Sequence, residues 1–444
     1  MTTKRELHLN AFLMDVGHHE AAWRLPESNP TGGFELEHWI NLARLAEEAK
    51  FDSLFLADAQ MIVGSGEFSP SGQFDAFTLL TAVSQATSRI GLIATMSTTY
   101  SHPFDVARRF ASLDHISDGR AGWNIVTSQS ADEARNFGLQ DRPEHGERYA
   151  RAHEFLSVVK SLWDSWEVEA VLADKEAGRF SDPSRMHAVD HHGKYFNVAG
   201  PLNVTRPPQG YPLLVQAGSS EDGKNFAAGQ AEAVFTAQSS FERAADFYAD
   251  LKARVVAAGR DPAHVVVLPG IVPIIGSTEA EAEAKAQELD DLRVPEYGLV
   301  RVASRLEVEP SDLPLDEPIP TWVLERKREG WQSRADLMIE LAQRENLTVR
   351  QLLSRLGSGR GHFTVVGTPN QVADTVVEWF EGGAADGFNV MGAALPSGLE
   401  AFIEHVLPIL RAKGLFREEY SGTMLREHYG VPFPANGFRA NGAS

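Results

Sequence analysis

A (β/α)8 TIM barrel with two insertion regions is the fold class this sequence predicts, and three observations predict it. Short β-rich runs alternate with amphipathic helical stretches, about eight such strands can be counted, and each feeds a helix. The alternation lapses only twice, over stretches rich in Gly, Pro and polar residues. A chain of 444 residues with a 43 % hydrophobic fraction can bury a large core, and α/β barrels with insertions occupy this length as one domain. The expected organisation is a single α/β domain over residues 1–444, with insertions at about 167–211 and about 293–362.

The first strand, "LHLNAFL" (7–13), precedes "FELEHWINLARLAEEAK" (34–50), where Leu36, Ile40 and Ala43 step at helical spacing and Leu42, Leu45 and Ala46 widen the apolar face. "FDSLFLAD" is the second strand, "DAFTLLTAVSQAT" its helix and "IGLIATM" the third strand. "HPFDVARRFASLDHIS" starts with Pro103 in a first turn, where the missing N–H costs nothing, and "GWNIVT" follows as a strand. A long helix runs from Glu147 to about Trp166, and the excursion "DKEAGRFSDPSRMHAVDHHGKYFNVAGPLNVTRPPQGYP" then breaks the rhythm. The pattern resumes with "PLLVQAG", a helix from about Glu221, "AVFTAQ", the helix "FERAADFYADLKARVVAAG" and the strand "VVVLPGIVPIIG". The Ala/Glu-rich helix "TEAEAEAKAQELDDL" opens the second irregular region, whose "VEPSDLPLDEPIP" is too proline-rich for a core element and is expected to form a lid or an interface arm. "TPNQVADTVVEWFEGGAA", "GFNVMGA" and "GLEAFIEHVLPILRAKG" close the series as helix, strand and helix.

Forty-one basic against 61 acidic side chains leave a formal charge of -20, which repels nucleic acid and anionic membrane. A phosphate-bearing ligand therefore needs a local site. The absence of cysteine excludes disulfides, thiolate metal sites and Cys nucleophiles. "MTTKRELHLN" carries no apolar signal region, and no run approaches the ~20 apolar residues of a membrane helix, so the expected location is the cytoplasm.

In this barrel class the loops after the C-terminal strand ends build the active site. The polar residues there are Asp58, Thr95, Asn124 with Thr127 and Ser128, Ser219 with Ser220, and Gln238. Each alone reads equally as a cap or turn residue; together they point to a site. In "AGSSEDGKN", Gly218 permits close backbone approach, and Ser219 or Ser220 presents a hydroxyl beside the free N–H groups of a helix start. That is an anion cradle or a plain N-cap. "EHGERYARAHEF" places His145 and Tyr149 four apart on one face of a helix start, where both can donate to one phosphate or simply face solvent. His18 and His19 follow the first strand at the pocket mouth. No metal site is expected: the chain lacks a helical HExxH or a first-strand HxH, and adjacent histidines on an extended segment point opposite ways. It also lacks the GxSxG elbow, and "VGSGEF" and "GSGRG" lack the strand context of a phosphate-binding or dinucleotide fingerprint.

The segments "FDSLFLAD", "STTYSHPFDVARRFASLDHISDGRAGWNIVTS", "EARNFG", "ERYARAHEFLSVVKSLWDSWE", "HHGKYFNVAGPLNVTRPPQGYPLLVQAGSSEDG", "EAVFTAQ" and "VGTPNQVADTVVEWFEGGAADGFNVM" together resemble the bacterial-luciferase-like flavin monooxygenases. Within them the chain is similar to the group acting on nitrilotriacetate, EDTA, dibenzothiophene sulfone and long-chain alkanes. The likeness runs nearly end to end, through the tail "LREHYGVPFPANGF", with "GWNIVTS" and "QAGSS" its most diagnostic pieces. It implies a two-component monooxygenase that takes reduced FMN from a separate NAD(P)H-dependent flavin reductase. With dioxygen it would oxygenate a small organic substrate via a flavin peroxide, as a homodimer or homotetramer. The implied flavin contacts are Asp58, Thr95, His145, Tyr149 and Ser220, with Ser219 beside it; Thr98 and Thr99 compete with Thr95 for that role. Asn124 is expected near the flavin ring, donating hydrogen bonds to developing charge, and His18 or His19 as a proton donor or substrate contact. The alternatives are a deazaflavin-dependent oxidoreductase on the same barrel, a non-catalytic flavin-binding protein, and, last, a metal-dependent hydrolase.

Overall fold

The computed structural model describes residues 5–438 apart from 63–65, 69, 71, 327–331 and 358–360. Eight parallel strands form its centre: β1 (His8–Leu13), β2 (Ser53–Leu56), β3 (Gly91–Ser97), β4 (Ala121–Val126), β5 (Leu213–Ala217), β6 (Ala233–Thr236), β7 (Val266–Ile275) and β8 (Gly387–Val390). Each pairs with the next, and β8 returns to β1 with His8 opposite Gly387, so the sheet closes into a barrel. Alternate side chains explain the closure. Phe12, Phe55, Ile93, Val215, Phe235, Leu268 and Met391 fill the interior. Leu9, Leu54, Leu92, Trp123 and Leu214 point the other way, into the helical layer.

That layer contains α1 (Leu36–Glu48), α2 (Ala76–Val83), α3 (Pro103–Ile116), α4 (His145–Asp164), α5 (Glu221–Gln230), α6 (Phe241–Ala257), α7 (Glu279–Asp291) and α8 (Pro369–Glu381). The starts are set locally: Asp75 caps α2 by accepting from the Thr78 N–H, and Thr368 and Gln371 form a capping box on α8. Among the described residues no helix is long and apolar enough to cross a membrane.

The N-terminal mouth of the barrel is plugged by the tail. Leu425 lies so close beneath β3 that a Cβ on Gly91 would clash with its side chain, which accounts for glycine there. The Tyr429 hydroxyl donates to Asn10 Oδ1 at 2.7 Å. The buried Arg426 donates to the Tyr211 and Pro432 carbonyls and to Glu232. Polar chemistry is thereby left to the C-terminal mouth.

Between α4 and β5 the chain makes two small antiparallel hairpins, Val171–Asp174 with Arg179–Ser181 and His191–His192 with Asn197–Val198. The region after α7 is far more ordered than its prolines predict. Helices Pro295–Leu306, Thr321–Glu325, Gln332–Arg344 and Val349–Gly357 pack around a core of their own that includes Leu306, Leu313, Val323 and Leu352. The prolines either open these elements, as at Pro295, or fall between them. A strand, Phe363–Gly367, was also not anticipated; it pairs with the outer half of β7, which runs on for ten residues. Two sets of ion pairs tie the helical insertion down. Arg293 and Arg301 grip Glu20 in the loop after β1, and Arg142 meets Glu307 at 2.8 Å.

Candidate active site

Two adjoining cavities open at the C-terminal ends of the strands. The first is walled by Asp58 after β2, Thr127 and Ser128 after β4, Tyr149 on α4, Gln216 and Ser219 at the end of β5, and the rings of Phe226 and Phe235. The second is lined by His145, Ser219, Ser220, Asp222 and Gln238. Ser219 and Ala237 belong to both, so the two form one continuous site.

At the junction the starts of α4 and α5 converge. Ser220 caps α5, its Oγ accepting from the Gly223 N–H at 3.2 Å. Gly218 approaches at φ +151, where a side chain would be strained. His145 and Tyr149, one turn apart, bring their ring centroids to 5.0 Å. The Tyr149 hydroxyl shares hydrogen bonds with Ser220 and Thr127; burial pushes its pKa up against them, so it stays a proton-bearing donor. His145 Nδ1 faces Asp222 Oδ2 at 2.8 Å. Two helix N-termini, hydroxyl donors and an imidazole at one point, beside the Asp222 carboxylate, are groups whose chemistry suits an anion.

In the wall of the first cavity, burial raises the Asp58 carboxyl to about 6, with the Ala76 N–H, 3.3 Å away, opposing it and the Asp75 charge adding to it. Because this pKa lies above the ordinary 3.8, the residue's contribution to stability is full below that value and is lost as pH rises through about 6. Asp58→Asn is therefore expected to be more stable than the parent at pH 8, by about 1–2 kcal/mol after allowing for partial exposure, and no more stable at pH 3.5. Thermal melts at the two pH values check this; a variant that gains nothing at pH 8 refutes it. Glu133, in the same wall, accepts from the Gln60 N–H at 3.2 Å, and burial holds its pKa above the ordinary value too.

Thr95 and Asn124 are buried at the strand ends and belong to neither lining. They form a relay across three strands. Thr95 Oγ1 donates to the Leu56 carbonyl at 2.8 Å, so it must accept from Asn124 Nδ2, also at 2.8 Å. The atom left buried without a partner is Asn124 Oδ1, an acceptor. One of the two amide hydrogens is committed to Thr95, so the second hydrogen and the carbonyl are what the Asn124 amide has left to offer. Thr98 and Thr99 donate to the Val126 and Thr127 carbonyls and fasten the end of β4.

His18 and His19 are buried and line neither cavity. His18 Nε2 lies 2.8 Å from the Phe12 carbonyl and its ring packs edge-on against Phe12, which in turn packs on Phe235 of the cavity wall. His19 Nδ1 accepts from the Ala21 N–H, leaving Nε2 toward Asp290, 3.7 Å away. Sequence reasoning missed Glu133, Gln216 and Phe235 as wall residues. "EARNFG" and "QAGSS" contain the first two, but nothing in a motif tells which way a side chain turns. His362, stacked on Phe235 at 5.1 Å, was missed as well, since it lies in the second insertion.

The description luciferase-like monooxygenase belongs to a family model that matches residues 17–386. The chain is 48 % identical over 434 residues to the N-acetyl-S-(2-succino)cysteine monooxygenase of Bacillus subtilis (strain 168), covering 98 % of each protein. It is 43 % identical over 449 residues to nitrilotriacetate monooxygenase component A of Aminobacter aminovorans, covering 98 % of this chain and 99 % of that one. Its fold matches the crystal structure of a riboflavin lyase with modified FMN and riboflavin at a TM-score of 0.87 and 33 % identity, covering 97 % of both chains. The closed barrel and this end-to-end likeness agree: the chain belongs to the luciferase-like monooxygenase family.

Proposed function

We propose that the protein is the oxygenase of a two-component system, taking reduced FMN from a separate NAD(P)H-dependent flavin reductase and using dioxygen to oxygenate a small organic substrate. The observation that carries this reading is the convergence of the α4 and α5 N-termini on Tyr149 and Ser220 at one end of an apolar-walled cavity. The residues fit a phosphorylated ring: an anion receptor free of side chain at Gly218 adjoins the walls of Ile125, Phe226 and Phe235. A relative named component A supports a separate partner, and a relative crystallised with modified FMN supports the flavin. The reading places the protein in the cytoplasm as a homo-oligomer.

Bound reduced FMN supplies the electrons that activate dioxygen. The chain binds, orients and shields. Tyr149, Ser220 and His145 would hold the phosphate, and Thr95 fixes the Asn124 amide at the end of its strand. Asp58 holds a proton in the wall of the first cavity below pH about 6. The helical insertion, tied by Arg142 to Glu307, serves as a lid that keeps water out. His18 acts through Phe12, bracing the wall against Phe235.

Oxygen uptake with an added reductase, FMN and a panel of carboxylates, sulfones and alkanes tests the reading. Substrate-dependent incorporation of one labelled oxygen atom is expected; hydride transfer from a deazaflavin with no oxygen uptake would replace it. In the same assay Asn124→Ala should keep oxidising flavin while product falls about tenfold and hydrogen peroxide rises. Full coupling in that variant would remove the orienting role.

A further inference from the structure

Gln216 is the last polar side chain of β5, and none of the roles above requires it. It is 3 % exposed and lines the first cavity. Its Nε2 donates to the Ala217 carbonyl at 3.0 Å, which only an N–H can do, so the amide cannot be turned over. Oε1 is left buried with no hydrogen-bond partner. An acceptor stripped of water in a ligand cavity is costly unless a ligand donor meets it.

The surroundings say which donor. The amide nitrogen lies 3.1 Å from where a Cβ on Gly218 would be, and 3.5 Å from one on Gly223. That second position is also 3.0 Å from the Tyr149 hydroxyl and 3.1 Å from Ser220 Oγ. Gln216 therefore sits against the anion receptor itself. An ionised phosphate offers mainly acceptor oxygens and would repel a bare carbonyl, whereas an alcohol hydroxyl satisfies it. In FMN the atoms next to the phosphate are the hydroxyl-bearing polyol chain, and the ring lies beyond it.

We propose that Gln216 is a ligand-binding residue that accepts a hydrogen bond from a polyol hydroxyl of the flavin. The assignment rests on the FMN reading above. It makes the site selective for flavins that carry the chain, apart from any selectivity for the phosphate.

Fluorescence titration of the parent and Gln216→Met with FMN, riboflavin and lumiflavin, the ring without its polyol, tests it. Methionine keeps the length and removes the acceptor, along with the local bond to the Ala217 carbonyl. FMN and riboflavin should both bind about tenfold more weakly to the variant. Lumiflavin affinity should stay the same, which shows that the variant is folded. Unchanged FMN affinity, or an equal loss for all three ligands, overturns the assignment. A parent protein that binds none of the three overturns the flavin reading, and the assignment with it.

Discussion

Arg426→Ala is expected to lower the free energy of unfolding by about 3–5 kcal/mol. The guanidinium is completely buried under the barrel, where it donates to the Tyr211 and Pro432 carbonyls and to the Glu232 carboxylate at 2.8 Å. Alanine removes the donor to both carbonyls, strips the Glu232 carboxylate of its cation while the Leu214 N–H still donates to it, and opens a void beside Leu425. The loss is large because removing one partner of a buried pair strands the other, whatever the intact pair contributes. Urea denaturation followed by tryptophan fluorescence measures it. Flavin affinity in the absence of denaturant should change less than twofold, because the plug and the site lie at opposite mouths. A loss under 1 kcal/mol, or a large loss of flavin binding in a folded variant, contradicts the account of the tail.

The double variant His145→Ala, Tyr149→Phe is expected to bind FMN about 100-fold more weakly than the parent. Two donors to a charged phosphate are removed, and hydrogen bonds to charged groups are worth about 1.5–3 kcal/mol each. Riboflavin lacks the phosphate and should bind within twofold of the parent. Equal losses for both ligands would mean that the two residues shape the cavity without reading the anion. Tyr149 is the larger contributor, because it is 8 % exposed and already aimed by Ser220 and Thr127, while His145 must share itself with Asp222.

The barrel was legible because each strand carries its own signal: a short apolar run, followed by a polar residue and a helix. "FDSLFLAD" ends in Asp58 and "PLLVQAG" leads to Ser219, and both residues line the cavity. The meeting of His145, Tyr149 and Ser220 was legible for the same reason, since the first two needed only helical spacing and Ser220 only the start of α5. Orientation was not legible. Which amide atom Asn124 leaves free depends on Thr95 in β3 and Leu56 in β2, partners remote in sequence. His18 follows β1, yet its ring folds back on Phe12 because the next backbone N–H groups bond to Gly392 and Ala393 beyond β8. The helical insertion was read through its prolines, whereas its apolar residues, Val302, Leu306 and Val323 among them, meet only after the chain has turned on itself.

The central claim is that the C-terminal mouth grips a phosphorylated flavin. Anaerobic competition titration with reduced FMN and a reduced deazaflavin cofactor tests it most directly. The prediction is saturation by one FMN per chain, little displaced by a tenfold excess of the deazaflavin. Preferential binding of the deazaflavin, or no saturable binding of reduced FMN, would contradict it.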